Sequence, residues 1–389
     1  MTSGGIPKIL IISSDTGGGH SSAAAAIVAG GQRFAQERSP EFKVIRAIEE
    51  SETRSVVLVR LYNWMLRYRQ HWIKYLYWSI NSFRPETKEL FYAHTVAYVC
   101  ELFKKWRFDA IVSVHPMTQH ASACVLRRLG LTEKIPLVTV VTDPYYGFWK
   151  GWACSHVTLY LVGSEEARQQ LIEYGVAAER IKVSGIPLHP KFESVDAQAA
   201  REARLALGLD PQKFTILANA GWAGGGNIFK IFCELVHADL DVQVIFLAGR
   251  NEALEAKAKE LAAEAKFPVR VVGFTDKVEQ LMMAADVMIS KLGGLTTFEA
   301  LSCGLPIIGD ATTPLMPQEI STAKRITLCE AGILLKHVTE VVPVVRALAE
   351  SASRRNDMRA AAAALVIPDA AERVVEEVLA SINVMRSPG

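Results

Sequence analysis

Residues 287–308 read VMISKLGGLTTFEALSCGLPII. An apolar run, Val287–Ser290, stops at Gly293-Gly294; a helical stretch, Thr296–Ser302, follows; after Gly304 a second run opens at Pro306–Ile308. Apolar runs without polar alternation, separated by a helix, read as strands buried on both faces of a parallel sheet. The same alternation extends in both directions. Further strands are expected at Lys8–Ser13, Lys43–Ala47, Ala110–Val114, Leu137–Thr142 and Thr158–Val162, then at Phe214–Asn219, Val242–Ala248, Val269–Val272 and Ile333–Leu335. Helical stretches lie between them, notably Ser21–Gln36, Glu165–Tyr174, Asn251–Ala265 and Val338–Glu350. At 389 residues the chain is too long for one ordinary core. The pattern implies an α/β protein of two doubly wound, Rossmann-like domains facing a cleft, with ligands at the carboxyl ends of the strands. Prolines punctuate Ile186-Pro187-Leu188-His189-Pro190, so the domains are expected at 1–193 and 194–389, with the last helix packing back onto the first domain.

Half of the residues are apolar, 22% are charged and the formal net charge is +2, which argues against disordered, collagenous and coiled-coil classes. The six cysteines form no C-x-x-C pair, so a reducing compartment is expected rather than a disulfide scaffold or a zinc ribbon. The first apolar run comes too early and is too brief for a signal peptide, and no stretch of about 18 apolar residues could span a bilayer. These features point to the cytosol, or to a peripheral position on the cytoplasmic side of the cell membrane. Residues 1–193 hold 23 Lys and Arg against 17 Asp and Glu, whereas 194–389 hold 20 against 24. A basic first half fits contact with an anionic surface, and uneven surface decoration fits the totals equally well.

Residues 60–84, RLYNWMLRYRQHWIKYLYWSINSFR, break the alternation with eight aromatics, five basic residues and no acidic one. Trp64, Trp72 and Trp78 suit the headgroup layer of a bilayer, and Arg67, Arg69 and Lys74 are drawn to anionic lipid. The alternative is an aromatic helix packed in the core, although such a helix should bury few of the interleaved charges. Nucleic acid is the weaker partner, given the near-neutral total charge.

Three glycine-rich turns carry the chemistry. Strand one runs into Ser13-Ser14-Asp15-Thr16-Gly17-Gly18-Gly19-His20, and backbone N–H groups there can approach an anion at a helix N-terminus. No Lys-Ser/Thr follows, so it is not a P-loop; Ser22 stands where a dinucleotide fingerprint needs its third glycine. His20, at the mouth of the loop, is placed as a general base, or else it caps the helix or bonds to a neighbour. The second cluster, Gly221-Trp222-Ala223-Gly224-Gly225-Gly226, follows Phe214–Asn219 and can hold a diphosphate by the same physics. In the third, Gly293-Gly294-Leu295-Thr296 starts a helix aimed at the cleft. Glu299 can accept both hydroxyls of a ribose, or else it is an exposed helix carboxylate. Gln318 and Glu319 offer donors and acceptors for sugar hydroxyls. No D-x-D motif ends a strand, and His115 and His120 lack helical ligand spacing, so no metal site is expected. His115 is either a cleft-lining residue or a hydrogen-bonded core histidine.

The ordered motifs DTGGGH, SVHP (113–116), VTD (141–143), GIPLHPKF (185–192), GFTD (273–276), SKLGGLTTFEA and QE resemble the monogalactosyldiacylglycerol synthase and processive diacylglycerol glucosyltransferase family. The resemblance runs from about residue 8 to about residue 335. It implies a GT-B glycosyltransferase that is inverting and metal-independent and uses no cofactor. The C-terminal domain is then expected to hold a UDP-hexose, and the N-terminal domain to take diacylglycerol from the membrane. On this resemblance His20 is the catalytic base, directly or with a carboxylate such as Asp143. Glu299 takes the ribose, and Gln318 and Glu319 contact the hexose. Gly18, Gly19, His115, Gly221, Gly225, Phe274, Gly293, Gly294, Leu295 and Thr296 complete the expected substrate contacts. Pro317 stands where the family usually has Gly before the Gln-Glu pair. Two other readings remain, a related transferase with an isoprenoid-linked acceptor and a UDP-sugar epimerase of the same architecture.

Overall fold

The computed structural model describes the chain except for residues 1–4, 17, 35–38, 52–60, 62–63, 66–69, 193–195, 222–225 and 387–389. Two compact units are present, one built on the residues up to Pro190 together with Ile367 onward, the other centred on Lys191–Val366.

The first unit holds β1 (Lys8–Ser13), β2 (Glu41–Arg46), β3 (Ala110–Ser113), β4 (Leu137–Val140), β5 (Leu159–Val162) and β6 (Ile181–Val183), all parallel in the order β2-β1-β3-β4-β5-β6. Ile9–Ile12 are at most 1% exposed, as strands covered on both faces must be. The order reverses between β1 and β3, so the loops after these two strands flank the topological switch point. The final helix, Ala370–Arg386, packs on the first helix, Gly19–Gln32. A Cβ at Gly30 would lie 2.8 Å from the carbonyl carbon of Ala371, so only glycine allows the two backbones this close.

The second unit holds β7 (Thr215–Asn219), β8 (Gln243–Leu247), β9 (Val269–Val272), β10 (Val287–Ser290), β11 (Ile307–Asp310) and β12 (Gly332–Leu335) in the parallel order β12-β11-β10-β7-β8-β9. Its core has two faces. Ile216 and Ala218 of β7 join Phe246 of β8 and Phe232 on one side, while Leu217 joins Ile245 and Met288 on the other. The switch point here lies between β7 and β10, whose register sets Asn219 beside Ser290 at their carboxyl ends.

Most expected strands sit within a residue or two of the observed ones. The exception is β6, whose three residues include Lys182 and are too few to show a period. The first helix starts at Gly19 rather than Ser21, which puts His20 inside its first turn. Asn251–Ala265 shortens to Glu252–Ala262, and Val338–Glu350 divides into a 3₁₀ turn, Val338–Glu340, and the helix Val341–Glu350.

In the segment 60–84 the helix Gln70–Phe83 is described, and Trp72, Tyr75, Trp78 and Phe83 on it are exposed, as are Trp64, Leu90 and Phe91 near it. These rings are surface residues, not core. Arg67 and Arg69 lie outside the described residues, as does the side chain of Lys74. Among the described residues no helix is long and apolar enough to cross a membrane.

Candidate active site

In the first unit the chemistry gathers at the β1/β3 switch point. Gly18, at φ 82°, turns the chain into the helix that begins at Gly19, and His20 follows. Because β1 and β3 are paired, the residue after β3 reaches the start of this helix. His20 Nδ1 lies 2.7 Å from the Val114 carbonyl oxygen, which in turn requires that Nδ1 carry the proton and donate it. The lone pair is thereby left on Nε2. Thr142 Oγ1 is 3.2 Å from the same Nδ1. The His115 ring meets His20 edge-on at 4.6 Å between centroids. His115 also caps its own helix, Pro116–Leu129, by accepting the Met117 N–H at Nδ1. Desolvation pushes His20 down to about 4, against the pull of the Val114 carbonyl, and lowers His115 well below the usual range. Both rings are therefore neutral at physiological pH.

Asp143 does not bond His20. Its Oδ2 accepts the indole N–H of buried Trp152 at 2.8 Å, and the Trp152 ring stands 6.3 Å from His20. Burial raises Asp143 to about 6, partly offset by that indole. Trp152 is fixed in turn by Gln119, whose amide donates to the Gly151 and Trp152 carbonyls at 2.8 Å each. His120 Nε2 lies 2.9 Å from the Gly151 carbonyl, a structural contact rather than a ligand's. The orienting acceptor for His20 is thus a backbone carbonyl. Val114 lies within the SVHP run but the sequence gives it no role of its own, and Trp152 is not singled out at all.

In the second unit Asn219 closes β7 by accepting the Gly221 N–H at 2.8 Å; Gly225 lies outside the described residues. Across the switch point Gly293 is the extended N-cap of the helix Gly294–Ser302, and no side chain caps it. Its first N–H groups, from Gly294, Leu295 and Thr296, have no intrahelical acceptor and carry the positive end of the helix dipole. Glu299, one turn further on, is only 9% exposed, so it is not a surface carboxylate. Burial raises it to about 7; Lys191 pulls it down, and Glu279 pushes it up. Lys191 and Glu279 themselves pair at 2.8 Å.

Pro317 is the first residue of the helix Pro317–Leu328, where a missing N–H costs nothing. Gln318 and Glu319 fall in its first turn. Glu319 Oε2 accepts the Met316 N–H at 2.9 Å, and burial raises its pKa. Phe274 is exposed after β9, with the Arg250 guanidinium 3.9 Å from its ring centroid. Asp310, which the sequence reading passed over, ends β11. Its carboxylate accepts from the Asn227 N–H and from both the N–H and the hydroxyl of Thr312. An acid closing a run of apolar strand residues was the available signal.

The monogalactosyldiacylglycerol (MGDG) synthase family model matches residues 20–188, and the glycosyltransferase family 28 C-terminal domain matches 226–309. A processive diacylglycerol beta-glucosyltransferase of Bacillus licheniformis is 28% identical over 72% of this chain and 70% of its own. A chloroplastic monogalactosyldiacylglycerol synthase of Spinacia oleracea is 33% identical over 64% of this chain, and the match spans 49% of that longer protein. The crystal structure of Anabaena HepE in complex with UDP superposes with a TM-score of 0.58 at 15% identity, covering 97% of this chain and 100% of that one. The fold is GT-B, and the chain carries a monogalactosyldiacylglycerol synthase family domain over residues 20–188 followed by a glycosyltransferase family 28 C-terminal domain over 226–309.

Proposed function

We propose that this chain is an inverting glycosyltransferase that moves a hexose, glucose or galactose, from a UDP-sugar to the hydroxyl of diacylglycerol. The observation that carries the reading is His20, a neutral imidazole with its lone pair on Nε2, at the first residue matched by the MGDG synthase family. The names of both kinds of relative support diacylglycerol as acceptor.

In this reading Nε2 of His20 takes the proton of the acceptor hydroxyl as its oxygen attacks the anomeric carbon from the face opposite UDP. The C1–O bond to UDP breaks, the configuration inverts, and the negative charge grows on the leaving diphosphate. The open N–H groups of Gly294, Leu295 and Thr296 stabilise that charge. Glu299 accepts the ribose hydroxyls, and Gln318 and Glu319 read the hexose; His115 holds the acceptor side and Phe274 the donor side. Asp143 acts at one remove, through Trp152. The exposed rings of 60–84 bring the protein to an anionic membrane, which we assign to the cytoplasmic face.

The test is thin-layer and mass analysis of lipids formed from diacylglycerol with UDP-glucose or UDP-galactose. Hexosyl-diacylglycerol is expected. Conversion of a UDP-sugar with no lipid present, or transfer only to an isoprenoid phosphate, overturns the reading.

A further inference from the structure

The first unit holds a cavity of about 330 Å³ that is not lined by His20, His115, Asp143 or Trp152. Its size falls in the range of small-molecule sites, about 300–1,000 Å³. The walls come from the 3₁₀ turn Pro85–Thr87, from one face of the helix Pro116–Leu129, which carries His120 and Arg127, and from the chain after Trp152. On the first wall Glu86 is 1% exposed, yet only one of its carboxylate oxygens is satisfied. Oε1 accepts the Arg84 Nε–H at 2.9 Å, whereas Oε2 is buried and makes no hydrogen bond. Arg84 makes this contact from φ 51°, a left-handed backbone that residues with a Cβ rarely adopt. Its charge is thereby committed. Among the described residues the Arg127 guanidinium donates to the Cys124 sulfur, at 3.7 Å, and to no carboxylate. Desolvation raises the Tyr92 phenol, the Cys124 and Cys154 thiols add to the rise, and Arg127 opposes it, so the cation lies near that hydroxyl. Desolvation lowers His120, whose Nε2–H donates to the Gly151 carbonyl; its Nδ1 keeps the lone pair.

The groups in want of partners are thus a carboxylate oxygen and an imidazole nitrogen, which accept, and a guanidinium and a phenol, which donate. A phosphate would meet Glu86 with like charge. Hydroxyl groups donate to the first two and accept from the others, so this wall fits an uncharged polyol, the chemistry of a sugar. The rim is apolar. Phe83, Leu90 and Phe91, which adjoin the lining residues Arg84 and Tyr92 in the chain, are all exposed, and the two phenyl rings meet edge-on at 5.4 Å. They continue the exposed rings of the helix Gln70–Phe83.

We propose that this cavity binds the hexose headgroup of a glycolipid, with the acyl chains along Phe83, Leu90 and Phe91, at a site apart from the transfer centre. The source of that lipid rests on the proposed function: hexosyl-diacylglycerol is the product left in the same membrane. A surface enriched in product then holds the protein more tightly.

The test is co-sedimentation, without UDP-sugar, of wild type, E86Q, R127M and H20A with phosphatidylcholine vesicles carrying hexosyl-diacylglycerol, diacylglycerol or phosphatidylglycerol. Wild type should bind the hexosyl-diacylglycerol vesicles about tenfold or more above the diacylglycerol ones, the range for hydrogen bonds to charged groups. E86Q and R127M should each lose most of that preference, and H20A should keep it. A cooperative melt reports that each variant is folded. Should E86Q fail to fold, R127M decides. Equal binding of wild type to the two vesicles overturns the proposal, and so does a preference that survives in R127M. A preference lost in H20A as well puts the sugar in the transfer site and overturns it too. Wild-type preference for phosphatidylglycerol alone, abolished in R127M, makes the cavity an anion site, again against the proposal. Wild type that forms no hexosyl-diacylglycerol from UDP-sugar overturns the proposed function instead, while the sedimentation, which needs no transfer, still judges the cavity.

Discussion

Glu299 offers a pH test with a computable size. Burial holds its carboxyl near pKa 7 in the empty protein, well above the ordinary carboxylate value of about 4.3. That gap corresponds to roughly 3.5 kcal/mol disfavouring the charged form. Two ribose hydroxyls donating to the carboxylate restore about this much, since each charge-assisted bond is worth roughly 1.5–3 kcal/mol. Ligand binding therefore selects the ionised form and expels the proton wherever Glu299 is protonated beforehand. With a free-state pKa of about 7, affinity should fall roughly tenfold from pH 8 to pH 6, whereas a carboxyl of ordinary pKa would change it by only a few per cent. Uridine is the ligand of choice because it has no phosphate titrating in this range. Calorimetry in buffers of different ionisation enthalpy should also record about 0.9 proton released per uridine at pH 6. Glu299→Gln should bind weakly and without slope. Uridine affinities equal within twofold at pH 8 and pH 6, or the same slope in Glu299→Gln, refute the assignment. The sign is checked independently on stability. A carboxyl raised in the folded state lends stability below its unfolded pKa, and this is lost as pH rises through about 7. Ligand-free Glu299→Gln should therefore melt above wild type at pH 8 and alongside it at pH 4.5.

His20→Ala should cut turnover by roughly 10²–10⁴ with UDP affinity nearly unchanged; stopped-flow or discontinuous lipid assays beside calorimetry check this. With donor saturating, turnover of the wild type between pH 7.5 and 5.5 should change less than twofold, because a ring held near pKa 4 stays neutral, whereas a base of pKa about 6.5 would lose about tenfold. Trp72→Ser with Trp78→Ser should lower co-sedimentation with both neutral and anionic vesicles, since half-inserting a ring of about 200 Å² contributes about 2 kcal/mol; unchanged sedimentation returns these rings to ordinary surface. Gly30→Ala should lower the melting temperature by a cost of about 1–3 kcal/mol, because the added methyl meets the backbone of Ala371, and an unchanged melt rejects that packing account.

What the sequence disclosed and what it withheld follow from the range of the interactions. Ile9–Ile12 or Val287–Ile289 announce buried strands because each residue is apolar in its own right. Glycine turns are legible for the same local reason, and so are His20 and Glu299 as residue types at the ends of such turns. Strand order is not local. Only when β1 is known to pair with β3 does Val114, 94 residues away, become the acceptor that sets the tautomer of His20. Only then does Trp152 stand between Asp143 and that ring. Lys291 reads as one more polar residue in a turn until β10 pairs with β7 and β11, which carries it to Gly226 and Asp310. The rings of 60–84 were legible as a composition, but only the helix Gln70–Phe83 decides that Trp72, Tyr75, Trp78 and Phe83 face outward rather than inward.

The two switch points use one force toward opposite ends. Desolvation disfavours charge on whatever group is buried, so it holds His20 neutral and also holds Glu299 largely neutral below pH 7. For a base the neutral form is the working form, and the Val114 carbonyl then chooses which nitrogen offers the lone pair. For a ribose acceptor the charged form is the working form, and it becomes favourable once hydroxyl donors replace the lost water. His20 is therefore ready before any substrate arrives, whereas Glu299 is completed by its ligand. The difference predicts where the pH dependence lies: in donor affinity, through Glu299, and not in the rate of transfer from a saturated enzyme.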